Sequence, residues 1–449
     1  MAGSARLNVD ELVDGQTFRG FNLNLLFWSF CAMFAEGFEI SALGIAAPHL
    51  VREWGVPAGA MGPMMGASLI GILVGAPLFG SLGDRHGRRF VIVGGCFLFS
   101  ITTLAVVWVE TIEQITALRV ITGIGMGALM PNAIALNSEL SPRHLRAKLV
   151  ILMFMGITLG GAVPGFIGAW LVPAHGWQIL FLIGGGFPLL VCLGLLLWLP
   201  ESVKFLATRP EREGELLRIA RRMRPDLTLD GGTRFVRPAP APKGTIAPLF
   251  SGGLAAITLL LWLTFAATLM ANYFLNSWMA VLFEMKGIAP ETAAITTTAY
   301  HLGAALGGLA MSLLLDRWGF LAVTAMLAVA GPALLSIGLP GLPTPMLAML
   351  VGVAGFCILG AQFGSNAAAG ILYPTGCRSK GVGLAFAVGR IGSVLGPVIG
   401  ALLIGLELPL MLLLLVMAAP ILLAAIAAFL LGRLSYRRFG GWQLDEAAA

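Results

Sequence analysis

The chain predicts an all-α polytopic membrane protein with twelve transmembrane helices in two pseudo-symmetric six-helix bundles and both termini in the cytoplasm. Three observations carry that expectation. Hydrophobic residues make up 58% of the 449 and charged residues only 11%, with a mean hydropathy of +0.90, which excludes an ordinary soluble protein. The positive charges segregate to one side of the apolar runs. The first half of the chain also repeats in the second.

Taken in order, residues 1–21 form a polar, cytoplasmic N-terminal segment. Apolar runs follow near 22–47, 60–82, 89–109, 113–137, 147–172 and 177–200, then near 253–283, 291–315, 320–339, 344–371, 379–405 and 407–432. Each is long enough to cross a hydrocarbon core about 30 Å thick as a helix. The first run is too long for a signal-peptide core, so it reads as an uncleaved helix. Residues 22–200 and 253–432 are the two bundles, and 433–449 is a cytoplasmic tail. Between the bundles, residues 201–252 carry ten Lys or Arg, six acidic residues and the run RPAPAPKG, the composition of a solvated cytoplasmic linker.

Of the 28 Lys and Arg, only Arg52 and Lys286 fall in odd-numbered connections, and Arg119 and Arg390 fall inside helices. The rest lie in the termini and even-numbered connections, which places those segments in the cytoplasm. The net charge of +6 therefore reflects topology, and no nucleic-acid partner is expected. Cys31, Cys96, Cys192, Cys357 and Cys377 are scattered without metal or disulfide spacing.

Asp84, Arg85 and Gly87 recur as Asp316, Arg317 and Gly319, and Pro142, Arg146 and Lys148 recur as Pro374, Arg378 and Lys380, both at an offset of 232. Gly156 and Pro164 recur as Gly389 and Pro397 at 233. Parallel repeats of this kind are typical of transporters that rock around a midplane site. The intramembrane charges break the repeat. The positions matching Glu36, Glu39, Arg119 and Arg390 hold Thr268, Ala271, Val351 and Ile157, which points to one asymmetric site between the halves.

Glu36 and Glu39 stand three apart, on one face of the first helix. A charge at a helix centre costs about 2.5–3.5 kcal/mol on insertion scales. The pair must bind a proton or find cations, so it is the candidate proton-coupling site, or a structural pair for Arg119 or Arg390. Arg390 lies about eleven residues past the Arg378–Lys380 cluster, roughly 16 Å up its helix, and is the candidate anion ligand. Arg119 either joins it or snorkels to the outer interface. Phe38, Asn132, Asn272, Tyr273, Asn276, Tyr300, His301, Gln362 and Asn366 are further candidates for lining a substrate cavity, against the alternative of polar groups satisfied by helix packing.

GIGMG at 123–127 follows no strand and lies in an apolar span, so it suits close helix packing better than dinucleotide binding. No HExxH, nucleophile elbow or P-loop is present, which argues against an enzyme or an ATP-driven pump.

GSLGDRHGRR at 80–89 closely matches the G-x-L-x-D-R-x-G-R-R loop of the major facilitator superfamily. By that resemblance Asp84, Arg85 and Arg88, with Asp316 and Arg317 in the second half, form a cytoplasmic charge-relay gate; the alternative is a basic loop that only sets topology. EGFEISALGIAAP, TGIGMGALMPNAIALNSE, LPESVKFL, YPTGCRSKGVG and GRIGSVLGP together resemble the aromatic acid:proton symporter family, across all twelve helices. The family's first helix usually carries D-G-x-D, acidic residues needed for transport, and Glu36 and Glu39 occupy those positions. Arg119 and Arg390 match its arginines in helices four and eleven. Its N-W-L-P in helix seven is here Ser277-Trp278-Met279-Ala280.

The resemblance implies a secondary transporter that imports a benzoate- or hydroxybenzoate-like carboxylate with a proton, driven by the proton gradient and without a cofactor. Helices one, four, seven, eight, ten and eleven are expected to line the site. A multi-pass monomer in a bacterial inner membrane is expected, its partners the lipid bilayer, protons and a small aromatic carboxylate. The alternatives are a proton-coupled exporter of organic anions or drugs, suggested by GITLGGAVPGFIG at 156–168, and a transporter-like membrane sensor.

Overall fold

The computed structural model describes residues 6–227, 229, 234–236, 246–251, 253–373 and 377–439. Twelve helices in it are long and apolar enough to cross a membrane: α1 (Gly20–Trp54), α2 (Ala58–His86), α3 (Arg88–Trp108), α4 (Ile112–Leu140), α5 (Arg143–Trp170), α6 (Gln178–Trp198), α7 (Ala255–Met285), α8 (Pro290–Leu315), α9 (Phe320–Ile337), α10 (Thr344–Gly370), α11 (Lys380–Gly405) and α12 (Leu410–Arg437). The twelve runs read from the sequence match these spans.

Within each half the same helices pair. In the first half α1 packs on α5 and α2 on α4; in the second α7 packs on α11 and α8 on α10. Small residues make these contacts close, because lipid offers no hydrophobic drive between helices and backbone approach must supply the attraction. Gly37 of α1 lies against the Ile157 backbone of α5, and Gly392 of α11 lies against Ala266 of α7. The GIGMG stretch serves the same end, with Gly123 and Gly127 against α2 and Gly125 against α3.

The halves meet through α5 with α8, α2 with α11 and α1 with α7. On the face away from the chain ends they touch. Gly59 packs on Gly405 and Ala401, and Arg52 of α1 pairs with Glu284 of α7 at 2.8 Å. These two residues are 232 apart, so the pair joins repeat-equivalent positions and sits at the pseudo-twofold axis. On the face that carries the chain ends the halves part. A vestibule of about 790 Å³ opens there, with Arg143 and Arg146 at its rim and Phe154, Phe363 and Phe386 deeper in.

The charged segment between α2 and α3 is not the loop that the sequence suggested. Asp84 and Arg85 occupy the last turn of α2, and a single residue, Gly87 at φ 104°, reverses the chain into α3. The second half repeats the device: the α8 helix runs Pro290–Trp318, through Asp316 and Arg317, before Gly319 at φ 53° turns it. No proline stands in the last two turns before either glycine, so each helix continues to a position that only glycine adopts freely. Arg88 pairs with Asp84 at 2.5 Å and with Glu139 of α4 at 3.3 Å. Glu201, beyond α6, accepts hydrogen bonds from the Arg88 and Arg89 amides at 2.9 and 3.3 Å, capping α3 from a distance. Burial pushes the Glu201 carboxyl above the usual carboxylate range. These partners belong to the first half and to the start of the linker; Arg85 and Arg317 are exposed, and the Asp316 side chain lies outside the described residues.

The polar segments also have structure. Strand β1 (Arg6–Asn8) pairs in parallel with β2 (Arg234–Val236) from the linker. A linker helix, Glu213–Met223, buries Leu216, Ile219, Ala220 and Met223. Asp10 and Asp14, on a short helix after β1, reach Lys204 at 2.7 Å and Arg143 at 3.0 Å. This layer is tied to the first half; RPAPAPKG and most of the 433–449 tail lie outside the described residues.

The reversal at Gly87 yields a paired prediction. Gly80, in the same helix, has open space where a Cβ would stand, whereas at Gly87 a Cβ would strike the Glu201 carboxylate and suffer the positive φ. Gly80→Ala is expected to raise stability by up to about 1 kcal/mol, and Gly87→Ala to lower it by about 1–3 kcal/mol. Thermal unfolding of the two variants in detergent checks this; equal midpoints would remove the backbone argument.

Candidate functional site

The vestibule narrows into an inner chamber of about 100 Å³ midway between the halves. Glu36, Gly37, Ile40 and Ser41 reach it from α1, the spacing of one helical stripe. Across from them stand Asn272, Tyr273 and Asn276 of α7, His301 of α8, Gln362 and Asn366 of α10 and Arg390 of α11. Apolar walls come from Phe154 and Ile157 of α5, Leu269, Leu359, Phe363 and Phe386. Helix α5 was absent from the expected lining. Its apolar residues carry no chemical signal to single them out from other membrane-facing ones.

Arg390 donates to the Tyr273 hydroxyl at 3.3 Å and lies 3.1 Å from the Met130 sulfur. Neither partner carries a negative charge. The carboxylate that feels its field is Glu36, 1% exposed, with one oxygen buried and without a hydrogen-bond partner. The chamber thus holds one cation and one carboxylate, each incompletely satisfied.

Glu39 has a different environment. Its carboxylate pairs with Arg119 of α4, and Arg119 also donates to the Glu39 carbonyl at 3.4 Å and to Ser68 of α2 at 3.3 Å. Arg119 is 1% exposed, so it does not snorkel to an interface. The spacing of three turns the two glutamates about 60° apart around α1. Near the edge of the half-to-half interface, that angle separates Glu36, in the chamber, from Glu39, inside the first half. Arg119 lines a small separate void with Ser68 and Ser277, and Tyr273 stands between that void and the chamber.

A polar network covers one chamber wall. Ser41 Oγ donates to Asn276 Oδ1 at 3.3 Å and lies 3.1 Å from His301 Nε2. The serine has one hydrogen, so His301 is the donor in the second bond and carries its proton on Nε2. Asn276 Nδ2 donates to Asn272 Oδ1 at 3.1 Å, which also accepts from the Tyr300 hydroxyl at 2.8 Å.

The structure therefore gathers Glu36, Asn272, Tyr273, Asn276, His301, Gln362, Asn366 and Arg390 around one space. Tyr300 stands behind that wall as a hydrogen-bond support. Phe38 packs on Gly184 of α6, and Asn132 donates to the Phe79 and Ala128 carbonyls inside the first half. Ser41 was missed: it lies about 140° around α1 from Glu36 and one turn beyond Gly37, at the far edge of the chamber-facing side, so no spacing tied it to the glutamates. Among the described residues no group of three or more His, Cys, Asp or Glu could hold a metal ion.

Residues 29–397 match the Major Facilitator Superfamily. The chain is 35% identical to the 4-hydroxybenzoate transporter PcaK of Pseudomonas putida, over 96% of this chain and 97% of that one. It is 34% identical to a gallate transporter of Pseudomonas putida, over 94% of each, and 30% identical to a benzoate transport protein of Acinetobacter baylyi, over 95% and 93%. Among solved structures it resembles a D-xylose-proton symporter, with a TM-score of 0.70 at 16% identity, covering 91% of this chain and 98% of the other.

The two arginines differ in their surroundings, and stability reads that difference. Arg119→Leu leaves Glu39 as a buried unpaired charge and is expected to cost about 3–5 kcal/mol, with Glu39→Leu in the same chain restoring much of it. Arg390→Ala, beside an open chamber, is expected to cost less than half as much. Thermal melts of the four proteins separate the cases; equal losses at the two arginines would refute the distinction.

Proposed function

The chain belongs to the Major Facilitator Superfamily, and from that premise we propose that it imports an aromatic carboxylate together with a proton by alternating access. The observation that carries the reading is the shared chamber of Glu36 and Arg390, bounded by phenylalanine rings. An aromatic carboxylate matches it part by part, with its anion on the guanidinium and its ring against Phe154, Phe363 and Phe386. The names of the relatives, which are transporters of aromatic acids, support the same substrate class.

Coupling follows from charge balance. In the empty chamber Glu36 offsets Arg390. A substrate carboxylate that takes Arg390 displaces Glu36 as counter-ion and leaves two carboxylates beside one cation in a closing, water-poor space. Proton uptake by Glu36 restores neutrality, so the loaded carrier closes with one proton for each carboxylate. The net charge moved is zero, which removes the roughly 2.3 kcal/mol per 100 mV that a bare anion would face. Glu39 and Arg119 remain paired throughout and present no charge to the moving interface.

With the Lys- and Arg-rich segments in the cytoplasm, the vestibule faces inward in a bacterial inner membrane, and the Arg52–Glu284 contact closes the outer face. Asp84, Arg85 and Arg88 then act on the inner face when the halves close there.

Uptake into proteoliposomes tests the assignment. Glu36→Gln is expected to abolish accumulation driven by a pH gradient while substrate exchange at equal pH persists. Arg390→Ala is expected to raise the half-saturating concentration about 10-fold or more. Full gradient-driven accumulation by Glu36→Gln would disprove its role as proton carrier.

A further inference from the structure

The chamber wall is nearly self-satisfied, and the one exception outside the charged pair is informative. Ser41, His301, Asn276, Asn272 and Tyr300 engage each other's polar atoms. Of the chamber-lining residues, only Glu36 and Gln362 hold a buried side-chain oxygen or nitrogen without a partner among the described residues. Glu36 answers to Arg390 and the proton. Gln362 is 4% exposed; its Nε2 donates to Asn366 Oδ1 one turn along α10 at 2.9 Å, and its Oε1 has no donor.

A buried carbonyl without a donor is costly, and a ligand that brings one recovers that cost. We propose that Gln362 is a specificity-determining residue that accepts a hydrogen bond from a hydroxyl on the substrate ring, so that the site selects hydroxylated benzoates over benzoate itself. This rests on the reading of the chamber as an aromatic carboxylate site. With the carboxylate on Arg390, a chamber of about 100 Å³ brings the ring substituents of a single-ring ligand to the remaining walls. The α10 wall is the one with a vacant polar contact. A ring hydroxyl suits it because a hydroxyl both donates and accepts, which satisfies the site whichever way the Gln362 and Asn366 amides are turned. A bare ring edge at the same place leaves the amide unpaired.

The test is binding of benzoate and of 2-, 3- and 4-hydroxybenzoate to the purified full chain, measured by calorimetry for wild type, Gln362→Met and Asn366→Ala. Wild type is expected to favour at least one hydroxybenzoate over benzoate by about 10-fold or more. Gln362→Met, of similar volume, is expected to erase that preference by weakening the hydroxybenzoate alone, with benzoate held within about 3-fold. Asn366→Ala removes the acceptor that fixes the Gln362 amide and is expected to narrow the preference without erasing it. Equal loss for both ligands in Gln362→Met would overturn the proposal, as that is the signature of a residue that only shapes the wall. A wild type that binds every benzoate alike would overturn it too, without touching the aromatic carboxylate reading. That reading fails instead if none of the four acids binds. Should Gln362→Met not fold, the wild-type ratio and the Asn366→Ala ratio still decide.

Discussion

A charge in the middle of a membrane protein must be neutralised close by, and this constraint organises the molecule. The two arginines inside the helices meet it in opposite ways. Arg119 is enclosed with Glu39 and held by Ser68, so its balance is internal to the first half. Among the described residues Arg390 has hydrogen-bond contacts with only a phenol and a thioether, and a carboxylate stands elsewhere in the same space. One arrangement is part of the scaffold. The other is unfinished, and an anion that completes it changes the charge that the chamber must balance.

The scaffold around these charges is symmetric. The pairs α1–α5 and α2–α4 recur as α7–α11 and α8–α10, and the cross-half contacts α5–α8 and α2–α11 recur as well. Glycines at these contacts let backbones touch, both within each half, as at Gly37 and Gly392, and between the halves, as at Gly44 and Gly59. The packing is thus common to both halves. Recognition needs the reverse, and the chamber takes its acid from the first half and its cation from the second.

Much of this was legible in the sequence. Hydropathy located the spans, the 232 offset exposed the duplication, and charges inside apolar runs singled out Glu36, Glu39, Arg119 and Arg390. What the sequence hid was direction. A spacing of three is compatible with shared and with divided environments, and only the position of α4 behind α1 shows that Glu39 turns away from the chamber. The one-residue reversals at Gly87 and Gly319 were hidden for a related reason: a polar, charged stretch reads as loop, although nothing in LGDRH stops a helix. The contribution of α5 rests on apolar Phe154 and Ile157 and on one threonine, Thr158, which nothing in the sequence set apart, and the ordered pairing of β1 with the linker carried no mark either.

The Arg52–Glu284 contact carries a historical consequence. The two residues hold equivalent places in the two repeats and meet on the axis that relates them. In a pair of identical six-helix units, the same place would bring arginine to arginine or glutamate to glutamate, and the face would be pushed apart. Attraction at that point is available only to two copies that have come to differ. The latch is therefore younger than the fold it closes.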